Sequence, residues 1–299
     1  MAHTRVHRSR QDLVIDSVIG ILSVAILIAS AYPLYFVLIA SFSDPTLIAT
    51  GQVTFFPKGI TTSAYEYILK EKNIWLGYRN TIIYTIASTL FGLAVTIPGG
   101  YALSRKDFIG RGILMKLLTF TMFFNGGLIP TYIMVSKMHM LNTRFILIVL
   151  GCITVFNVIV ARTFFTGNIP DELLEAASID GCGNTRFFFS IVLPLSKTII
   201  AVIGLYIAVW QWNSYFNALI YVTNRELLPL QLVMRDLLIQ GQSLASSEDM
   251  DAASVKYLME IAQLIKYGVI VVSTLPIICV YPFAQKYFVK GVMIGSVKG

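Results

Sequence analysis

The chain alternates between long apolar runs and shorter polar segments. Six runs of 17 to 27 residues contain no Asp, Glu, Lys or Arg, and about 20 mainly apolar residues are enough to cross a bilayer as an α-helix. The pattern therefore predicts an all-α, polytopic membrane protein whose six-helix transmembrane domain covers 17–285. The six predicted spans are 17–43, 80–104, 117–136, 145–161, 198–224 and 267–285.

The start of the first run is similar to a signal peptide. Three arginines lie among the first ten residues, and the apolar run contains the small-residue sequence Ala-Ser-Ala at 29–31. The apolar part of a signal peptide is only about 7–15 residues long, whereas this run continues well past the small residues. We interpret it as an uncleaved first span after an N-terminal tail of residues 1–16, and we place a C-terminal tail at 286–299.

Composition excludes an ordinary soluble domain. Of the 299 residues, 56% are hydrophobic and 13% are charged, whereas soluble domains average about 25% charged residues. The mean hydropathy is +0.72. Much of the surface of such a chain needs a hydrocarbon environment.

The net charge of +7 has two interpretations, nucleic-acid binding or membrane orientation. If the N-terminus is cytoplasmic, the inside segments carry a net charge of +6 and the outside segments +1. The short loop at 105–116 holds four of the basic residues, and short cytoplasmic loops carry the orienting excess of Lys and Arg. The distribution predicts that both termini are cytoplasmic, and it makes nucleic acid unnecessary as a partner.

Several kinds of active site are missing from the sequence. It contains no phosphate-binding loop, no dinucleotide-binding glycine motif and no metalloprotease motif, and its three histidines are widely scattered. The interiors of the predicted spans hold no Asp, Glu, Lys, Arg or His, although proton-coupled carriers usually place such groups there. We therefore predict no catalytic residues, no metal site and no resident cofactor, and an energy source on another subunit. The three cysteines imply no disulfide framework.

The segment 168–197 has the pattern of a helix, a turn and a second helix. Pro170 suits the first turn of a helix, and the two acidic residues after it favour the positive end of the helix dipole. Ile169, Leu173 and Ala177 are spaced four apart and form one apolar stripe. Gly181 can adopt the left-handed conformation that ends a helix. An amphipathic connector lying on the membrane surface is an alternative interpretation, but Ala176 and Ala177 favour close contact with a protein partner.

The second half of this segment predicts a short helix from Asn184 or Thr185 through three consecutive phenylalanines. Pro194 would then open the next helix and lead into span five.

The segment resembles the EAA loop of bacterial ABC importer permeases. The resemblance rests on Glu175-Ala176-Ala177, then Gly181, Ile191 and Leu193-Pro194 at the spacing of the motif. Asp180 and the sequence at 169–173 resemble the carbohydrate (maltose-type) branch, and the chain is most similar to its complex-oligosaccharide subgroup. Cys182 and Thr198 depart from the pattern, since alanine and proline are common there. Further similar sequences occur at 141–143, 212–215 and 295–299.

The resemblance implies a transport subunit that is not itself an enzyme. Its partners would be a second homologous permease, two ATP-binding subunits that hold ATP and Mg²⁺, an extracytoplasmic solute-binding protein and an oligosaccharide, all at the bacterial cytoplasmic membrane.

The first loop helix would be the coupling helix: Glu175 would contact the ATPase, the alanines would allow close packing and Gly181 would form the turn. The residues assigned to coupling are Glu175, Ala176, Ala177, Asp180, Gly181, Ile191, Leu193 and Pro194. A permease for peptide or phosphate, and a self-powered carrier or channel, are the alternatives.

A substrate path is proposed around span five. Trp212 lies in mid-span rather than at an interface, and Asn213 and Asn217, four apart, are expected to share a helix face. Contact between helices is the alternative use of such residues. Asn125, within an Asn-Gly-Gly interruption of span three, and Tyr215 complete the candidate path.

Two polar segments have expected partners outside the membrane. The external stretch 240–249 would meet the solute-binding protein, with an unstructured linker as the alternative, and the C-terminal tail would touch the ATPases or be disordered.

Overall fold

The computed structural model describes residues 10–244, 265–279 and 282. All regular elements within these residues are helical, which confirms the all-α prediction for them. The α-helices are α1 (Arg10–Ser41), α2 (Pro45–Ala49), α3 (Ser63–Lys70), α4 (Lys72–Ser104), α5 (Arg111–Phe123), α6 (Leu128–Lys137), α7 (Arg144–Val149), α8 (Val155–Asn168), α9 (Asp171–Ile179), α10 (Asn184–Phe187), α11 (Leu193–Leu195), α12 (Lys197–Trp212), α13 (Phe216–Tyr221), α14 (Leu230–Leu244) and α15 (Ile265–Cys279). A π-helical segment covers Phe188–Val192, and a 3₁₀ turn covers Arg225–Leu227.

The described residues form two compact units. The first comprises residues up to 70 together with those of 237–272, and the second comprises those of 71–236 and from 273 onward. In the first unit, α1 is a long apolar helix whose most apolar window has no buried residue. Tyr32 and Tyr35 near its end donate hydrogen bonds to the backbone carbonyls of Thr54 and Phe55.

The second unit is built around α4, which packs most extensively on α12 and α8. The contact with α8 is close, because a Cβ at Gly100 would lie 2.5 Å from Cβ of Ala161 and 3.1 Å from the backbone nitrogen of Arg162. Small residues allow such approach where helices pack in a bilayer.

Two described helices, α1 and α4, are each long and apolar enough to cross a membrane, and two sharply bent helix pairs bring the number to as many as four. One pair is α5 with α6, bent by 112° at the predicted Asn-Gly-Gly interruption, which confirms that break. Gly127 has φ +87°, and its N–H donates to Oδ1 of Asn125. The other pair joins the segment 184–195 to α12 at an angle of 78°.

The segment predicted as span four is not a continuous helix, because α7 ends at Val149 and α8 begins at Val155. Gly151 has φ +93° at the break. Carbonyls freed by the break are satisfied from other helices: Ser88 donates to the oxygen of Ile148 at 2.8 Å, and Gln211 donates to that of Leu147 at 3.2 Å. Irregular backbone at membrane depth is tolerated only when the protein supplies such partners.

Some predictions fall outside the described residues. They concern residues 1–9, residues 245–264, most of 280–285 in span six, and the tail 286–299.

The candidate coupling loop

The helix predicted from Pro170 is present as α9. Pro170 is the residue immediately before its first turn, and Asp171 and Glu172 follow within that turn. Negative side chains there are stabilised by the unpaired N–H groups at the start of a helix.

The apolar stripe predicted for α9 faces the interior of the second unit. Ala177 is only 7% exposed, and Ile169 and Leu173 pack against the same apolar cluster. Buried members of that cluster include Phe165 of α8 and Phe187 of α10. The apolar face of α9 therefore contacts protein, which disfavours the alternative of a helix lying on lipid.

Gly181 ends α9 in the left-handed conformation, with φ +73°. Its N–H donates to the carbonyl of Ser178 at 3.0 Å, and the N–H of Cys182 donates to that of Ala177 at 2.9 Å. These two bonds form a Schellman motif. Cys182 joins it through its backbone, so a cysteine in place of the common alanine is compatible with the turn.

The opposite face of α9 is open to solvent. Glu175, Ala176 and Asp180 are exposed, and Ile179 is 86% exposed. This face combines a carboxylate, a methyl group that leaves the backbone accessible and a projecting apolar side chain. Ala177, which was assigned to the same contact, instead lies inside the chain.

The second half of the loop begins at Asn184, in agreement with the prediction, and α10 continues as the π-helical segment 188–192. Val192 is fully buried, Ile191 and Leu193 are half-buried, and Pro194 is exposed.

Pro194 lies in the first turn of the next helix, as predicted, but that helix is short and is separate from the helix of span five. The short helix α11 ends at Leu195, and α12 begins separately at Lys197. The hydroxyl of Ser196 donates to the carbonyl of Val192 at 2.6 Å. A hydroxyl that bonds back to its own helix in this way is often associated with a bend.

A polar cluster between α4 and this loop was not anticipated from the sequence. Arg105, immediately after α4, donates to both carboxylate oxygens of Asp107. It also donates to the hydroxyl of Tyr101 at 3.0 Å and to Oδ1 of Asn184 at 3.3 Å. The bond with Asp107 raises the pKa of Arg105 and lowers the pKa of the Asp107 carboxyl, so both groups stay charged.

A second contact joins the same region to α9. Nζ of Lys106 lies 2.6 Å from Oδ2 of Asp171, and this bond raises the pKa of Lys106. A cavity of about 260 Å³ lies beside the pair and is lined by both α4 and the loop. The basic residues after span two were interpreted only as an orientation signal. The acidic start of α9 was the sequence signal that could have indicated their partner.

Trp212, from the candidate substrate path, is buried at 8% exposure at the end of α12. Its indole N–H donates to the carbonyl of Ser273 at 3.1 Å, and its ring lies edge-on to Tyr78. These contacts are interhelical, which is the alternative use considered for such residues.

The prediction that Asn213 and Asn217 share a helix face is wrong, because α12 ends at Trp212 and α13 begins at Phe216. Asn217 donates to the carbonyl of Leu150 at 3.2 Å, in the break between α7 and α8. Asn213 is exposed and donates to the carbonyl of Val209 in its own helix.

The remaining candidates, Asn125 and Tyr215, are exposed. The structure therefore places the coupling residues in one loop, whereas the path residues divide into buried or half-buried ones, Trp212 and Asn217, and exposed ones, Asn125, Asn213 and Tyr215.

Apolar helices long enough to cross a membrane, broken spans and a capped loop helix, all seen in the described residues, are typical of a transmembrane transport subunit. No family model matches the chain. Two proteins of Bacillus subtilis (strain 168) are each 38% identical to it: Protein LplC over 267 residues (89% of both chains), and the polygalacturonan/rhamnogalacturonan transport system permease protein YtcP over 268 residues (89% of this chain and 92% of that protein). The crystal structure of a bacterial ABC transporter involved in the import of the acidic polysaccharide alginate contains a chain with a TM-score of 0.84 and 30% identity, which covers 95% of this chain and 99% of that one.

The chain therefore belongs to the permease family of ABC sugar transport systems. It is an integral membrane protein of the plasma membrane and a transport component rather than an enzyme. This confirms the resemblance to bacterial ABC importer permeases, and it favours the ABC permease over the alternative of a self-powered carrier or channel.

Proposed function

We propose that α9 is the coupling helix, which rests in a groove of a separate ATPase and transmits its nucleotide-driven closure to the spans. The observation that carries the proposal is the two-sided character of α9. Its inner face is fixed in the apolar core through Ala177 and Leu173, whereas Glu175, Ala176 and Ile179 are exposed. Because one face of α9 is packed in the apolar core, a force on its exposed face is transmitted to the helices that form this core.

The complete transporter in this proposal contains a second homologous permease, two ATP-binding subunits that hold ATP and Mg²⁺, and a solute-binding protein outside the membrane. The chain crosses the membrane six times with both termini in the cytoplasm. The charge distribution supports this orientation, since the inside segments carry a net charge of +6. The segment 240–249 and the C-terminal tail remain candidate contacts for the binding protein and the ATPases.

The proposed substrate is an oligosaccharide. Relatives named for polygalacturonan/rhamnogalacturonan and for alginate support this class. Asn125, Asn213 and Tyr215 are the path residues that remain open to such a substrate, because they are exposed. Trp212 and Asn217 would shape the path indirectly through their interhelical hydrogen bonds.

The test of the substrate class uses the solute-binding protein that co-purifies with the complex. Calorimetric titration with oligogalacturonides, arabino-oligosaccharides, inorganic phosphate and a tripeptide should show binding of a sugar only. Uptake of that sugar into vesicles should require ATP and be blocked by vanadate. Binding of phosphate or peptide without any sugar would contradict the proposal.

A further inference from the structure

The two residues that follow the cytoplasmic end of α4 contact both helices of the coupling loop, α9 and α10. Lys106 contacts Asp171 at the start of α9, and Arg105 contacts Asn184 at the start of α10. These partners are 65 and 79 residues away in the chain. Two adjacent residues thus contact the beginnings of two different helices.

Arg105 is well suited to this position because it is enclosed. Its side chain is only 14% exposed. The N–H groups of its planar guanidinium group donate hydrogen bonds to three residues, Asp107, Tyr101 and Asn184. A bidentate pair of this kind fixes the orientation of the guanidinium group. The carbonyl of Arg105 also accepts a hydrogen bond from Arg111 at 3.1 Å, which ties the start of α5 to the same point.

Tyr101 adds an apolar contact beneath the polar one. Its ring lies edge-on to Phe165 of α8 at 5.6 Å between centroids and tilted against Phe188 of the π-helical segment at 5.2 Å. Its hydroxyl accepts the hydrogen bond from Arg105. One side chain of α4 therefore contacts α8, the coupling loop and the guanidinium group.

We propose that Tyr101, Arg105 and Lys106 form a clamp, the α4 clamp, which makes α4 move as one body with the coupling loop. The inference rests on the proposed coupling role of α9. Movement of the loop then reaches α4 directly, and not only through the bend at Ser196 that leads to α12. Because α4 has 33 residues and is about 50 Å long at 1.5 Å per residue, it connects the coupling loop to the opposite side of the membrane.

The clamp is tested by measuring one intramolecular distance in the assembled complex. Nitroxide labels at Ala102 of α4 and Thr185 of α10, both exposed, are introduced after the three native cysteines are replaced. The dipolar coupling between the two labels, measured by electron paramagnetic resonance, should give the same narrow distance distribution in the nucleotide-free and ATP–vanadate-trapped complexes. In Arg105→Ala the distribution should broaden, or differ between the two states.

The Lys106–Asp171 pair allows a reciprocal control. Both side chains are more than half exposed, so Lys106→Glu should lower nucleotide-dependent coupling by at most about fivefold. Asp171→Lys should have a larger effect, because it also places a positive charge at the start of α9, and the double variant Lys106→Glu, Asp171→Lys should couple better than the Asp171→Lys variant. A purely structural effect of each substitution would not be reversed by the second.

A wild-type distance that changes between the two states would overturn the clamp, and so would an Arg105→Ala variant with an unchanged narrow distribution. A double variant that couples no better than Asp171→Lys alone would remove the assigned role of Lys106. These outcomes are separate from the docking of α9, which cross-linking of residue 179 to the ATPase measures on its own.

Discussion

Arg105 and Lys106 are adjacent basic residues with different physical roles. The side chain of Arg105 is enclosed and has three side-chain partners, whereas the side chain of Lys106 is 73% exposed and has Asp171 as its ion-pair partner. An exposed ion pair contributes little to stability, but an enclosed bidentate arginine cannot be replaced by lysine without losing donors. Charge alone therefore does not show which of the two residues contributes more to the structure. Enclosure and the number of hydrogen-bond partners show that it is Arg105.

Gly181 gives a prediction at the residue scale. Its φ of +73° lies in the left-handed region, and a Cβ added there would meet no atom within 4 Å. Gly181→Ala should therefore destabilise the loop through backbone strain alone, by about 1–2 kcal/mol. Thermal unfolding of the purified permease complex measures the effect.

Gly183 is the matched control. A Cβ added there would also meet no atom within 4 Å, but its φ of −71° lies outside the left-handed region. Gly183→Ala should leave the unfolding temperature close to that of the unsubstituted protein. Equal losses in the two variants would show that the left-handed turn is not what requires glycine at 181.

At the scale of elements, α9 was the most predictable part of the chain. Pro170, the stripe of Ile169 and Leu173, and Gly181 are local signals, and local hydrogen bonds decide where α9 begins and ends. The break of span four could not be predicted in the same way. Its carbonyls are satisfied by residues about 60 positions away, such as Ser88 and Gln211, and hydropathy contains no information about such partners.

The contact between α4 and α8 gives a prediction at this scale. Gly100→Leu should separate the two helices, because even its Cβ would overlap Ala161, and overpacking typically costs about 1–3 kcal/mol. Gly99→Leu is the control, since a Cβ there meets no atom within 4 Å. Yield of the assembled complex and its unfolding temperature should fall for the first variant only. A comparable loss in the second would place the effect in α4 itself rather than in its packing.

At the scale of the whole molecule, composition and the EAA resemblance were sufficient for the class of protein, and the relatives confirm it. The contacts that link the loop to α4 could not be predicted from composition or from the EAA resemblance. They join residues 65 and 79 positions apart, and the basic residues involved already had an adequate explanation as orientation signals. The shared face proposed for Asn213 and Asn217 failed for a related reason, because the helix breaks between them.

The most direct test of the account is whether α9 contacts the ATPase. Ile179→Cys and Ile109→Cys place a thiol at two exposed isoleucines, 86% and 95% exposed, on α9 and in the loop after α4. In the assembled complex, with the native cysteines replaced, a short thiol-to-amine cross-linker should join residue 179 to the ATPase. Residue 109 should give little product. Absence of a product at 179, or equal products at both positions, would contradict the assignment of α9 as the coupling helix.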